Sequence, residues 1–127
     1  MSEPASTNVR ITVDLKKYRI RLHKSTLHLL GDPPYVQLLI NPTAGVVAVK
    51  ALSRNASGDS THRISRKQLL SSNSVEIYSM SFIEKLMQVV PGLLPGHRYR
   101  MTGEVVPAEK LAFYSFETLK ELSECES

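Results

Sequence analysis

Apolar and polar residues alternate at the start of the chain. In residues 9–15 the odd positions are apolar and the even positions are polar or charged. A period of two is typical of a strand with one buried face. In residues 18–22 the apolar positions are even. This change of phase predicts a turn or a bulge at Lys16 and Lys17 between two strands.

The next segment predicts a short helix followed by a hairpin. Ser25 is placed to cap the helix, Gly31 to end it in a left-handed conformation, and Pro33 and Pro34 prevent its continuation. The apolar runs 35–40 and 46–52 flank a turn at 41–45 that contains Pro42 and Gly45. Two such runs around a turn predict two antiparallel strands.

The middle of the chain is less regular. Residues 53–61 are polar and predict a loop between two units. For residues 62–74 two interpretations stay open. Ser65 with Gln68 forms a capping-box pattern for one turn of helix, whereas residues 62–65 equally suit an edge strand.

The second half repeats the order of the first. Residues 75–79 predict a strand, and Ser81 with Glu84 predicts a capping box that opens a helix ending at Pro91. Residues 98–106 and 110–116 predict a second hairpin around Pro107. The tail, residues 117–127, is acidic and predicts one helical turn around Leu119 and Leu122.

The predicted fold class is α+β, rich in β-structure, with two β-α-β-hairpin units forming one pseudo-twofold, barrel-like core. The units are 9–52 and 62–116, within a single domain 9–116 that lies between a disordered terminus 1–8 and the acidic tail. An α+β domain without internal symmetry is the alternative. Alternation and helical spacing predict that these apolar residues are mainly buried: Ile20, Leu22, Leu38, Ile40, Val47, Val49, Phe82, Leu86, Met101, Val105, Phe113 and Phe116.

Charge is divided unevenly between the two halves. Residues 1–67 carry eleven Lys and Arg against four Asp and Glu, whereas residues 68–127 carry five against eight. The densest basic stretch supplies the predicted nucleic-acid-binding residues, because clustered cations attract a polyanion by releasing its counterions. A solvated strand face is the alternative reading of the same residues, which are Arg10, Lys16, Lys17, Arg19, Arg21 and Lys24.

The sequence argues against an enzyme. It lacks the nucleophile elbow, the glycine-rich phosphate loop and the His-Glu-x-x-His helix, and no catalytic residue, metal site or cofactor is predicted. The single cysteine, Cys125, has Glu124 and Glu126 beside it, and nearby negative charge disfavours a thiolate nucleophile. The absence of a signal-peptide pattern at the start predicts a cytoplasmic protein.

Residues 22–31, Leu-His-Lys-Ser-Thr-Leu-His-Leu-Leu-Gly, resemble the strand-to-helix segment of AbrB-like (SpoVT/AbrB, swapped-hairpin) domains. Two such units in one chain resemble the arrangement of the MraZ regulators. His23 stands where that family commonly has Pro, and the second unit lacks the motif. The residues that match the pattern are Arg19, Ile20, Leu22, Lys24, Leu30 and Gly31.

The resemblance implies a small DNA-binding transcription regulator of AbrB-like type. The expected partners are double-stranded DNA and a second copy of the chain, with no membrane and no small-molecule cofactor. In this hypothesis Arg19 and Arg21 project together from a strand face toward bases, and Lys16 and Lys17 contact phosphates from a turn. The alternative hypothesis is a non-catalytic protein-interaction or assembly module.

Overall fold

The structure, a computed structural model, describes residues 8–54 and 60–122. It contains nine strands and three helices within these ranges. The strands are β1 (Asn8–Asp14), β2 (Arg19–His23), β3 (Tyr35–Asn41), β4 (Val46–Leu52), β5 (Thr61–Arg63), β6 (Ser74–Tyr78), β7 (Arg98–Val106), β8 (Leu111–Ser115) and β9 (Lys120–Leu122). The helices are α1 (Lys24–Leu29), α2 (Arg66–Ser71) and α3 (Met80–Val89).

The strands form one antiparallel sheet that is nearly closed into a barrel. The strand order is β5-β3-β4-β8-β7-β1-β2-β6, and β9 pairs with the outer part of β7. The gap lies between β5 and β6, and α2 connects these two strands across it. There the Glu76 N–H donates to Gln68 Oε1 at 3.0 Å. A side chain of α2 therefore satisfies a backbone donor on the edge strand β6, which protects that edge.

The inward faces of the strands share a single core. Twenty-five buried residues of the described chain form one cluster, of which 21 come from β1–β4, β6–β8, α1 and α3 and four from the connecting segments. This confirms the predicted β-rich, barrel-like architecture at the level of one common sheet and core. Nine of the twelve residues predicted to be mainly buried are buried, and the other three, Ile40, Phe113 and Phe116, are half-buried.

The prediction for β8 had the wrong phase. Ala112 and Tyr114 face the core, and Phe113 faces outward. Tyr114 lies opposite Gly103 of β7, where the two backbones approach so closely that a Cβ on Gly103 would lie 1.7 Å from the Phe113 carbonyl oxygen. The register between β7 and β8 therefore fixes which of the two aromatic side chains enters the core.

Both interpretations of residues 62–74 contain part of the answer. Residues 61–63 form the edge strand β5, and the hydroxyl of Ser65 then caps α2 by accepting from the Gln68 N–H.

For α3 the predicted cap was wrong. Ser79 caps the helix by accepting from the Phe82 N–H, because the chain already turns helical at Met80, before Ser81.

The first helix also begins one residue before its predicted cap. His23 is the capping residue of α1, and its ring nitrogen accepts from the Ser25 N–H. In the tail, a 3₁₀ turn at Phe116–Thr118 precedes β9. The helical turn predicted around Leu122 is therefore wrong, because residues 120–122 pair with the part of β7 that β8 leaves uncovered. Residues 1–7, most of the predicted disordered terminus, lie outside the described residues, as do 55–59 and 123–127 with Cys125.

Candidate functional site

The outer face of β1, β2 and β7 carries five arginines. We call this surface the arginine face; it comprises Arg10, Arg19, Arg21, Arg98 and Arg100. Strand alternation sends these side chains outward, while Ile11, Ile20 and Met101 fill the core from the same strands. In the register, Thr12 lies between Arg21 and Arg100. The neighbouring strands β1 and β2 and the distant strand β7 therefore bring their cations onto one surface.

One part of the arginine face is neutralised by Asp14. This carboxylate is 4% exposed and accepts from the backbone N–H groups of Lys16 at 2.9 Å and Lys17 at 3.0 Å. Arg19 Nε donates to its other oxygen at 3.3 Å. Burial alone raises the pKa of Asp14, but the two backbone donors and Arg19 outweigh it, so the pKa lies below its ordinary value. Asp14 therefore stays ionised and holds the turn between β1 and β2.

Glu76 of β6 forms ion pairs with both arginines of β2. Arg19 Nη1 donates to Glu76 Oε1 at 2.9 Å, and Arg21 Nη2 donates to Oε2 at 3.0 Å. Burial raises the pKa of Glu76, but the hydrogen bond from Arg21 and the charges of both arginines outweigh this effect. The pKa of Glu76 therefore lies below its ordinary value. The Arg19 side chain is 14% exposed and the Arg21 side chain 30%. Arg19 is thus a structural cation between two carboxylates and does not project freely into solvent.

An open groove lies beside this network. It has a volume of about 490 Å³ and is lined by Arg10, Arg21, Arg100 and His23, with polar residues of α1 and β6 around them. Among the described residues, no carboxylate lines this groove, and neither Arg10 nor Arg100 has an ion-pair partner. The Nε of Arg21 is buried without a hydrogen-bond partner in the described chain. The groove therefore offers the guanidinium groups of Arg10 and Arg100 as donors to a bound anion.

The predicted site residues fall into three groups. Arg10 and Arg21 line the groove. Lys16 and Lys17 are exposed in the β1–β2 turn, and together with Arg19 they line a second depression of about 500 Å³, which also contains Asp14 and Glu121. Lys24 is the first residue of α1, is half-buried and does not line the groove.

Sequence reasoning missed two arginines of this surface. Arg98 and Arg100 come from β7, about 80 residues further along the chain than β2. Their alternation around Tyr99 in a predicted strand was a signal that they share a face. Nothing in the sequence pattern showed that β7 pairs with β1, which is the contact that brings Arg100 beside Thr12.

Two histidines outside the arginine face pair with carboxylates. His28 Nδ1 lies 2.6 Å from Asp32 Oδ1, and His97 pairs with Glu121; both pairs are exposed. Within residues 8–54 and 60–122, no three His, Cys, Asp or Glu side chains come together as a metal site would require. None of the helices described is long and apolar enough to cross a membrane.

Comparison with known proteins found no matching protein-family model, no matching curated protein and no matching solved structure.

Proposed function

We propose that this protein is a small, non-catalytic DNA-binding regulator of AbrB-like type, which holds a duplex backbone in the groove of Arg10, Arg21 and Arg100. The supporting observation is the unneutralised part of the arginine face. Arg10 and Arg100 line an open groove with Arg21 and lack ion-pair partners in the described chain. Cations placed in this way attract phosphates through charge and counterion release. In this proposal Arg10, Arg21 and Arg100 contact phosphates, whereas the sequence-based hypothesis directed Arg19 and Arg21 toward bases and gave the phosphate contacts to Lys16 and Lys17.

Guanidinium groups suit this role better than ammonium groups. Each presents a planar fork of donors that matches two oxygens of one phosphate. Glu76 keeps Arg21 in place from one side, since it bonds Nη2 at 3.0 Å, while the Nε of the same side chain has no partner in the described chain. Arg21 is therefore positioned in advance, which reduces the entropy lost on binding.

The proposal includes two units related by a pseudo-twofold axis, as in a dimeric regulator fused into one chain. Strand order supports it. If β1, β2, β3 and β4 are matched with β5, β6, β7 and β8 in turn, every pair of neighbouring strands has a counterpart, except that β1 pairs with β2 whereas the gap separates β5 from β6. Register supports it as well. The pair Leu38 and Val49 in the first hairpin corresponds to Gly103 and Tyr114 in the second, with both positions shifted by 65 residues.

The same shift supports an axis that passes between β4 and β8. Ala48 pairs with Phe113, which is the position 65 residues later. On the opposite side of the barrel, β2 and β6 have equal length and the same burial pattern, and Arg21 pairs with Glu76 at their centres. The pseudo-axis therefore relates an arginine to a glutamate. This asymmetry favours a single duplex-binding groove on the side of the first unit.

The test is a titration with a fluorescent duplex at several salt concentrations. Arg10→Ala combined with Arg100→Ala is the test variant, and Arg63→Ala combined with Lys85→Ala removes the same charge from exposed positions outside the groove. We expect the test variant alone to bind more weakly and to lose about 2 units of the slope of log affinity against log salt. Absence of duplex binding at low salt, or equal losses in both variants, would contradict the proposal.

A non-catalytic assembly module is the second candidate function. The observation that favours it is an apolar outer face on the opposite side of the barrel, formed by β3, β4 and β8. The two functions use different surfaces, so one molecule can carry both.

A further inference from the structure

The outer face of β3, β4 and β8 is apolar, although an outward-facing side of an antiparallel sheet is usually polar. A shallow groove of about 820 Å³ runs across it. Leu39 is 38% exposed, and the other members are half-buried, while the alternate residues of the same strands already fill the core. We call this surface the apolar face; its apolar members are Leu39, Val46, Ala48, Leu111 and Phe113. A contiguous apolar patch on the outer face of a sheet is a candidate interaction site.

The shape of the apolar face is self-complementary. Ala48 and Phe113 lie directly opposite each other on β4 and β8, so a small side chain stands beside a large one. A second copy can face the first across a twofold axis that lies between the two sheets and runs parallel to the strands, midway between β4 and β8. Phe113 of each copy then lies over Ala48 of the other. Two sheets packed face to face interdigitate their side chains in this manner.

The charges at one end of the apolar face fit the same arrangement. Lys50 and Glu109 both line the groove, Lys50 on β4 and Glu109 just before β8. Within the described chain, neither forms an ion pair. The rotation that places Phe113 over Ala48 also places Lys50 of each copy over Leu111 of the other, at the end of the face where Glu109 lies two residues before β8. A face with a cation on one side of the axis and a carboxylate on the other is complementary to a second copy of itself. A partner with charges of one sign would instead repel either the cation or the carboxylate.

We propose that a second copy of this chain docks on the apolar face in an isologous, twofold arrangement. This proposal does not depend on DNA binding. Because the β4–β8 pair lies across the barrel from the β2–β6 pair, the groove of Arg10, Arg21 and Arg100 stays open in both copies. If the arginine face binds DNA, the pair of copies presents two duplex-binding grooves that point away from each other.

The first test is sedimentation equilibrium over a range of protein concentrations. We expect the unmodified protein to associate reversibly to dimers. Phe113→Glu places a charge at the centre of the contact and should give monomers at every concentration. Leu70→Glu is the matched control, since Leu70 is 85% exposed on α2 and lies outside the apolar face. A monomeric unmodified protein, or a Phe113→Glu variant that remains dimeric, would overturn the proposal.

The second test changes only exposed rim charges and leaves the centre of the face intact. In a homodimer of the Lys50→Glu variant, two carboxylates face each other in each contact. In a homodimer of the Glu109→Lys variant, two ammonium groups face each other. Each variant alone should therefore dimerise more weakly than the unmodified protein. In an equimolar mixture, every contact of a mixed pair joins opposite charges. We therefore expect the mixture to form heterodimers more tightly than either variant forms homodimers. A mixture that associates no better than its components would overturn the twofold arrangement, because pairing within one chain cannot produce this result.

Discussion

The two outer faces of the barrel belong to one sheet and differ in their chemistry. On the arginine face, outward positions of β1, β2 and β7 carry guanidinium groups, and Asp14 and Glu76 neutralise part of their charge. On the apolar face, outward positions of β3, β4 and β8 carry Leu, Val, Ala and Phe side chains. The inward positions of both sets of strands form the same core. The core therefore determines the fold, and the outward positions determine what each side of the barrel can bind.

The largest expected effect concerns the strand that joins the two faces. Gly103 of β7 pairs with Val9 of β1 on one side and with Tyr114 of β8 on the other. A Cβ there would lie 1.7 Å from a backbone oxygen, so Gly103→Val should cost more than about 3 kcal/mol of unfolding free energy. The adjacent Thr102→Val, at a half-buried position, should cost under about 1 kcal/mol. Denaturant melts measure both, and equal losses would show that the close approach at Gly103 does not limit stability.

The next effect distinguishes structural from available arginines. Arg19 bonds both Asp14 and Glu76, so Arg19→Ala leaves two partly buried carboxylates without their cation and should cost about 1–3 kcal/mol. The sequence analysis expected Arg19 to project toward bases, and these two ion pairs give it a structural role instead. Arg10→Ala, at an exposed position, should cost under about 0.5 kcal/mol. If urea unfolding gives the same stability for both variants, the division of the arginine face into two parts is wrong.

Stability of the arginine face should also depend on pH in the acid range. The native structure lowers the pKa of Asp14 and of Glu76 below their ordinary values of 3.8 and 4.5. Such groups stabilise the fold at neutral pH, and this stabilisation is lost as the pH falls through the lowered pKa values. Asp14→Asn should therefore cost about 1 kcal/mol at pH 7 and progressively less below about pH 4. Melts of both proteins across this range test the prediction, and a difference that does not change with pH would contradict it.

The smallest expected effect lies on neither face. The Ser79 hydroxyl caps α3 by accepting from the Phe82 N–H at 3.3 Å, so Ser79→Ala should cost about 1 kcal/mol. Ser81→Ala, at an exposed position inside the helix, should change stability by less than about 0.5 kcal/mol. Neither change should alter duplex binding or self-association. A larger loss for Ser81→Ala would mean that the helix begins later than the structure shows.

Most strands could be predicted from alternation alone. The predicted bounds of β4 and β7 match the structure, and those of β3 differ by one residue, because each strand is amphipathic or lies next to a turn with Pro or Gly. Two kinds of feature could not be predicted. β9 exists because β7 extends beyond β8, and the phase of β8 follows from the close approach at Gly103. Both depend on pairing between distant segments, which a local pattern does not contain.

The candidate site shows the same limit. The basic run identified Arg10 and Arg21 correctly as members of one outward surface, since they follow strand alternation. It could not separate Arg19 from them, because one of the two carboxylates that hold Arg19 is on β6, 57 residues away. It also could not include Arg100, which joins the groove only through the pairing of β1 with β7. The clustered charge in the sequence thus indicated the strands of the arginine face. The pairing of distant strands determines which of its arginines lack a carboxylate partner.

The central claim is that the two outer faces act independently, and one measurement tests it directly. Sedimentation velocity with a fluorescent duplex reports duplex binding and self-association in the same sample. We expect Arg10→Ala with Arg100→Ala to remain dimeric and to leave the duplex free. We expect Phe113→Glu to be monomeric and still to bind the duplex through its groove. If either variant loses both properties while remaining folded, or if neither variant loses the property assigned to its face, the claim is contradicted.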